Sequence, residues 1–287
     1  MKRLLALELH RFFKQTSTKV IAIILVILSG INVLSAFAVE SQFGEFAINS
    51  RSIIETSFQL GQFQILLIGI LTSLFIATDI QQGTIRNKII AGYSKQTIYL
   101  VQMLMSVIIT VMALMLFHLL PVIMIPWITF PINSDDASTL LNFLILTGFG
   151  YFLIIVGVLI TSWIALKAKN LGGAIIFTLL IFILGPTITL IARVILEAAV
   201  VVNLDAFNDA ELYQQALDQV SKGFEWVYFA QVQRLSGTGT LFNFSPPLNF
   251  SNEEGVRYVW KTLTSNAVIL LLVVGLGSMR FAKTDLR

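Results

Sequence analysis

The chain has no cysteine and only two histidines in 287 residues. Disulfides and thiolate metal sites are therefore excluded, and no His-x-x-x-His or Cys cluster is present to hold a metal. There is no Gly-x-Ser-x-Gly nucleophile elbow. There is also no Gly-x-x-x-x-Gly-Lys-Ser/Thr loop to cradle a nucleotide phosphate. Charge is scarce as well: 12% of residues are charged and 56% hydrophobic, where soluble domains carry about 25% charge. So little polarity cannot cover a water-facing surface. The apolar runs are continuous rather than alternating, which points to an all-α polytopic membrane protein and away from a barrel. The isoelectric point near 9.2 reflects basic loops of the positive-inside kind and implies no nucleic-acid partner.

In chain order, residues 1–17 are amphipathic at helical spacing. Leu5, Leu9, Phe12 and Phe13 share an expected apolar face, and Lys2, Arg3, Arg11 and Lys14 lie elsewhere, as in a helix resting in the headgroup layer. Ala36-Phe37-Ala38 resembles a cleavage site, but the apolar run before it is too long for a signal peptide. Six spans are expected, at about 20–39, 58–77, 98–120, 140–166, 172–195 and 263–281. Together with the connecting segments they make one transmembrane domain over 1–287. The apolar stretch 98–130 exceeds the roughly 20 residues that cross a bilayer, and Pro121 marks where a kinked extension should begin. Pro186, after Gly185, predicts a kink or break in the fifth span. The polar segment 197–261 is expected to hold an amphipathic helix, lying on the outer face or packing across the spans. It includes Tyr213, Leu217, Val220, Phe224, Val227 and Tyr228 at helical spacing. Gly237-Thr-Gly-Thr240 reads as a linker. The stretch 241–250, with Pro246, reads as a segment dipping into the interface. Two Asn-Phe-Ser sequons, at Asn243 and Asn249, carry little weight.

Six spans put both termini on one side, and charge selects the side. The N-terminus, residues 79–96, residues 167–170 and the tail together hold thirteen basic and three acidic residues, a net of +10. The remaining six basic and thirteen acidic residues give −7, and the two sets sum to the overall +3. This asymmetry predicts that both termini and 79–96 are cytoplasmic. The spans hold almost no charge, unlike ion-coupled transporters with carboxylates near the midplane. His118 lies within the third span and is the ionisable residue to place there; a hydrogen-bonded neutral imidazole is the plainer reading.

The stretch Asp79–Gln96 is a polar, basic island between two spans. With the residues around it, Phe75-Ile-Ala-Thr-Asp-Ile-Gln-Gln-Gly-Thr-Ile-Arg-Asn-Lys-Ile-Ile-Ala-Gly-Tyr-Ser-Lys-Gln-Thr-Ile-Tyr99, it resembles the first cytoplasmic loop of ATP-binding-cassette type-2 permeases. The likeness is nearest to the branch with bacitracin and lantibiotic export or immunity permeases. The matching positions are Phe75, Asp79, Gly83-Thr84, Arg86-Asn87-Lys88, Gly92 and Ser94-Lys95. Asp79 stands where Glu is commoner and Lys95 where Arg is commoner. Amphipathic N-terminus, six spans, a large segment before the last span containing Ser245-Pro246, and Phe281-x-Lys-x-Asp-Leu286 agree more loosely.

The resemblance implies two such subunits, as a homo- or heterodimer, docked on two copies of an ATPase that binds ATP and Mg. No cofactor is expected in this chain, and no covalent chemistry. Asp79, Gly83, Thr84, Arg86, Asn87, Lys88, Gly92, Ser94 and Lys95 become the ATPase-coupling candidates. Gly83 and Gly92 would bound a short helix Thr84–Ala91, with Asp79 near its N-terminus and Arg86, Lys88 and Lys95 facing carboxylates of the ATPase. Arg3, Leu5, Leu9, Phe12 and Phe13 are the interfacial-helix candidates, and Pro121, Pro186 and Pro246 the gate or kink candidates. The expected function is export or extraction of an amphipathic, peptide or lipid-like substrate at the bacterial cell membrane, with membrane lipid as a further partner. The alternative is a membrane anchor or sensor whose segment 197–261 binds an extracellular partner.

Overall fold

The computed structural model describes residues 1–43, 61–128, 137–168, 170–203, 210–224, 227–235 and 253–283. The linker 237–240, the stretch 241–250 with Pro246, both sequons, Lys169 and the tail 284–287 lie outside these residues. Among the described residues the ordered elements are all helical. They are α1 (Lys2–Lys14), α2 (Thr16–Phe43), α3 (Gly61–Gln81), α4 (Thr84–Ile90), α5 (Lys95–Ile128), α6 (Ala137–Lys167), α7 (Leu171–Asn203), α8 (Ala210–Phe224), α9 (Tyr228–Leu235) and α10 (Glu253–Leu270). A π-helical stretch Leu271–Leu276 then leads into α11 (Gly277–Lys283).

Five helices are long and apolar enough to cross a membrane: Gln64–Gln81, Lys95–His118, Gly148–Lys167, Leu171–Val200 and Arg257–Lys283. The pair α1–α2, bent by 66°, gives a sixth candidate if counted as one span. The chain is therefore an all-α protein of membrane character, with five candidate spans among the described residues, or six with the bent pair, against the six expected from sequence.

Helix α3 is the centre of the bundle. Ile65, Ile68, Leu71, Phe75, Ile76 and Ala77 are buried along it, and it packs on α5, α6 and α7. In an apolar surround, association needs close packing and interhelical hydrogen bonds. Gly69 supplies the close approach, since a Cβ there would lie 3.2 Å from Thr161. Ser73 and Thr178 share a hydrogen bond at 2.9 Å, and Ser162 donates to Ser106 at 2.7 Å.

Of the kink or break expected at Pro186, the break is not found, and the helix is likewise continuous where a kinked extension was expected at Pro121. Helix α7 runs through Pro186 and α5 runs through Pro121. At Pro186 the neighbouring Gly185 supplies a seat: a Cβ there would overlap the Phe229 ring. Phe229 also meets Phe182 edge-on at 5.8 Å.

Phe229 belongs to α9, which packs among α3, α6, α7 and α10, while α8 lies against α7. Of the two predicted placements, packing across the spans is the one found. Tyr228 donates to the Leu153 carbonyl at 2.9 Å, and Gly157 is bare where a Cβ would meet the Tyr228 hydroxyl. At 1.5 Å per residue, Gly157 is roughly 15 Å along α6 from Lys167, about half of a 30 Å hydrocarbon layer. Next in α9, Gln231 donates to Ser265 at 3.0 Å and accepts from Asn266 at 2.7 Å. These bonds tie α9 to the last span.

Candidate functional site

The site is assembled where α1, the end of α3, α4 and the start of α5 meet. Gly83 (φ 67°) stops α3 and starts α4, and Gly92 (φ 89°) ends the following turn. Both take the left-handed conformation that a Cβ disfavours, so glycine is required there. The Gly92 N–H bonds the Ile89 carbonyl at 2.9 Å and the Tyr93 N–H bonds the Lys88 carbonyl at 3.1 Å, satisfying orphan carbonyls of the short helix. Ser94 caps the next helix: its Oγ accepts from the Thr97 N–H at 3.2 Å. The loop between the two spans is thus a rigid helical elbow. The expected helix 84–91 is found as Thr84–Ile90.

Asp79 is fully buried at the inner side of this elbow. A buried carboxylate must be paired or neutralised, and four side chains surround this one. Lys88 Nζ lies 2.6 Å from Oδ2, and Gln102 Nε2 donates to the same oxygen at 2.6 Å. Arg11 and the Thr84 hydroxyl reach Oδ1. The Thr84 hydroxyl also lies 2.9 Å from the Asp79 carbonyl oxygen; having one proton, it donates to one of the two at a time. A second buried acid, Glu8, completes the cluster. Its Oε1 is 2.5 Å from Lys88 Nζ and its Oε2 is 3.1 Å from Arg11 Nη1. That second contact is Coulombic without hydrogen-bond alignment. Arg11 Nη2 also donates to the Phe75 carbonyl at 3.0 Å, and the guanidinium sits 4.2 Å from the Phe75 ring centroid. Two acids and two bases make the cluster neutral, and Gln102 and Thr84 satisfy lone pairs that the cations leave.

The cluster changes what several residues do. Lys88 was expected to face carboxylates of another protein; its ammonium is taken up by Glu8 and Asp79. Arg86 and Asn87 remain exposed, and Ile90 beside them is 76% exposed. These three share one face at three- and four-residue spacing, while Ile85 is buried on the other. Lys95, half-buried, starts α5.

Helix α1 is rotated relative to the expected face. Leu4, Glu8 and Phe12 are buried, Leu5 and Leu9 pack partly, and Phe13 is 54% exposed. Arg3 is exposed. Phe12 goes inward against Phe75, with ring centroids at 5.7 Å. The reason is electrostatic: Glu8 must reach Lys88, and the face that carries it inward carries Leu4 and Phe12, each one turn away.

Glu8, Arg11 and Gln102 were absent from the predicted site. Glu8 had a readable signal, being the single acid in the first 39 residues and sitting four from Leu4 and four from Phe12. Gln102 had none, because a lone amide on an apolar helix has many possible neighbours. Elsewhere, His118 packs between Phe117 and Tyr151 at 5.3 and 5.4 Å. No group of three potential metal ligands occurs among the described residues. In comparison with known proteins, the chain matches no family model, no curated protein and no solved structure.

Proposed function

We propose that the chain is the membrane-spanning permease subunit of a bacterial ATP-binding-cassette exporter and that α4 is its docking element for a separate ATPase. The observation that carries this reading is the two-sidedness of α4. One side is fixed to α1 and α3 through Lys88 and Thr84, with Ile85 buried, and Gln102 of α5 shares the same Asp79. The other presents Arg86, Asn87 and the exposed Ile90. An apolar anchor beside a guanidinium is the composition of an interface hot spot. A partner that moves this face moves the ends of three helices with it. The chain has no phosphate-binding loop of its own, so ATP and Mg are handled by the partner, in two copies on a permease dimer. The excess of Lys and Arg in these loops supports a cytoplasmic side for α4 and both termini, at a bacterial cell membrane. The spans, poor in charge, suit an amphipathic, peptide or lipid-like substrate that is exported or extracted. The anchor-or-sensor alternative is less well supported, because Leu217, Val220, Tyr228 and Gln231 of its binding segment are buried.

The test is co-purification with an ATP-binding-cassette ATPase whose reading frame neighbours this one, the presence of such a frame being itself expected. Ile90→Asp and Arg86→Glu should each abolish or sharply weaken capture, while Phe13→Ala, on an exposed face of α1, should leave it unchanged. Undiminished capture with the Ile90→Asp/Arg86→Glu double variant would refute the docking assignment.

A further inference from the structure

The last span is not a uniform α-helix. It passes from α10 into α11 through the π-helical stretch Leu271–Leu276. There the Gly277 N–H bonds the Leu272 carbonyl, five residues back, and the Val274 carbonyl, three back. In an α-helix that N–H would go to the Val273 carbonyl, four residues back. The Val273 carbonyl accepts instead from the Tyr99 hydroxyl of α5, at 2.5 Å. Gly277 makes room for this donor, since a Cβ there would overlap the Tyr99 hydroxyl. The Tyr99 ring packs on Phe281 at 5.6 Å, and Tyr99, Val273, Gly277 and Phe281 are all buried. A side chain inserted into the hydrogen-bond ladder of a helix is a sufficient cause of a local departure from the α form. In hydrocarbon the freed carbonyl needs a replacement partner, and Tyr99 is that partner. Tyr99 lies four residues after Lys95, where α5 leaves the α4 elbow.

We propose that Tyr99 is a latch on the last span. Its hydroxyl holds Leu271–Leu276 in the π form, and its withdrawal lets the Gly277 N–H return to the Val273 carbonyl, so that the span rewinds as α-helix. A bond to the fifth residue back encloses one residue more than a bond to the fourth. Rewinding therefore turns α11 relative to α10 by about 100°, the angle of one residue at 3.6 per turn. That rotation carries Phe281 off the Tyr99 ring and brings Met279, now exposed, round towards the bundle. At a side-chain radius of about 5–6 Å, it displaces a side-chain end by roughly 8 Å. Because Tyr99 is about one turn from the elbow, a displacement of the start of α5 reaches the last span through this hydroxyl. That a docked partner supplies the displacement rests on the docking reading of α4; the latch itself does not.

The experiment reads distances between paired spin labels on the full-length protein in lipid nanodiscs. The chain has no cysteine of its own, so introduced cysteines alone take the label. Met279→Cys is paired in turn with Leu104→Cys on α5 and with Phe13→Cys on α1, all at exposed positions. A rotation that is invisible along one line is then seen along the other. Tyr99→Phe removes only the hydroxyl and should shift at least one of the two distances by about 3–8 Å. Gly277→Ala, which expels the hydroxyl from the opposite helix, should give the same distances, and adding it to Tyr99→Phe should change them no further. Tyr93→Phe, which removes a hydroxyl from the elbow itself, should keep the native distances. Unchanged helicity qualifies each variant as folded. Native distances in Tyr99→Phe would overturn the latch, as would an equal shift in Tyr93→Phe. No partner is present in this assay, so its failure leaves ATPase docking standing, and failed capture of the ATPase leaves the latch standing.

Discussion

Replacing Asp79 with asparagine should be the most damaging isosteric change in the chain. The substitution keeps volume and removes one charge. Asparagine has one acceptor oxygen, whereas Asp79 uses both of its own: Oδ1 for Arg11 and Thr84, Oδ2 for Lys88 and Gln102. Whichever way the amide turns, its NH2 faces donors. The cluster also changes from neutral to a net positive charge, with Lys88 mostly buried and Glu8 left to serve both cations. Removing one partner of a buried ion pair costs about 3–5 kcal/mol. At about 2–3 °C per kcal/mol, the thermal midpoint in detergent should fall by roughly 6–15 °C. Removing a base together with the acid restores neutrality: Asp79→Asn with Lys88→Met leaves Glu8 and Arg11 as a pair. The double variant should therefore be less destabilised than the sum of the singles, by about 1.5–3 kcal/mol of coupling. The assay is a double-mutant cycle on the purified protein, read by thermal midpoint. A fall below about 2 °C for Asp79→Asn would mean that the cluster behaves like an exposed ion pair worth under about 1 kcal/mol, and additive singles would mean that Lys88 and Asp79 do not act on each other.

Three further outcomes are expected. Leu4→Ala should destabilise by about 2–5 kcal/mol and Phe13→Ala by far less in the same midpoint assay, because Leu4 is buried and Phe13 is not; the reverse order would restore the face read from sequence. Gly157→Ala should cost about 1–3 kcal/mol through overlap with the Tyr228 hydroxyl, and most of the added cost should vanish in a Tyr228→Phe background, which removes the overlapping atom. Gly83→Ala and Gly92→Ala should each cost about 1–2 kcal/mol, with Gly92→Asn milder, since asparagine enters the left-handed region more readily than alanine; a full denaturation curve on each variant checks this.

Much of the architecture was legible because hydrophobic length and local turn chemistry are short-range properties. Five of the six spans expected from apolar runs overlap helices long and apolar enough to cross a membrane, and the one expected at 20–39 qualifies only as part of the bent α1–α2 pair. The short helix between two of them follows from Gly83 and Gly92, whose positive φ angles are the local conformation the sequence implied. The two prolines show the limit of local rules. Pro186 was read as a kink or break because it withholds a backbone hydrogen bond, and α7 continues through it without a break.

By itself, then, the sequence determined the class of the molecule, its helical spans, and the polar elbow at Gly83–Gly92, because each depends on residues within a few turns of one another. The tertiary structure alone decided which charges are spent inside and which face outward. Arg86 and Lys88 are two residues apart and chemically alike, but on a helix they point to different sides. The buried Glu8 and Asp79, from elements 71 positions apart in the chain, draw Lys88 inward and leave Arg86 beside Ile90. No local pattern encodes that choice, since it depends on the desolvated acids that the fold brings to one side of α4.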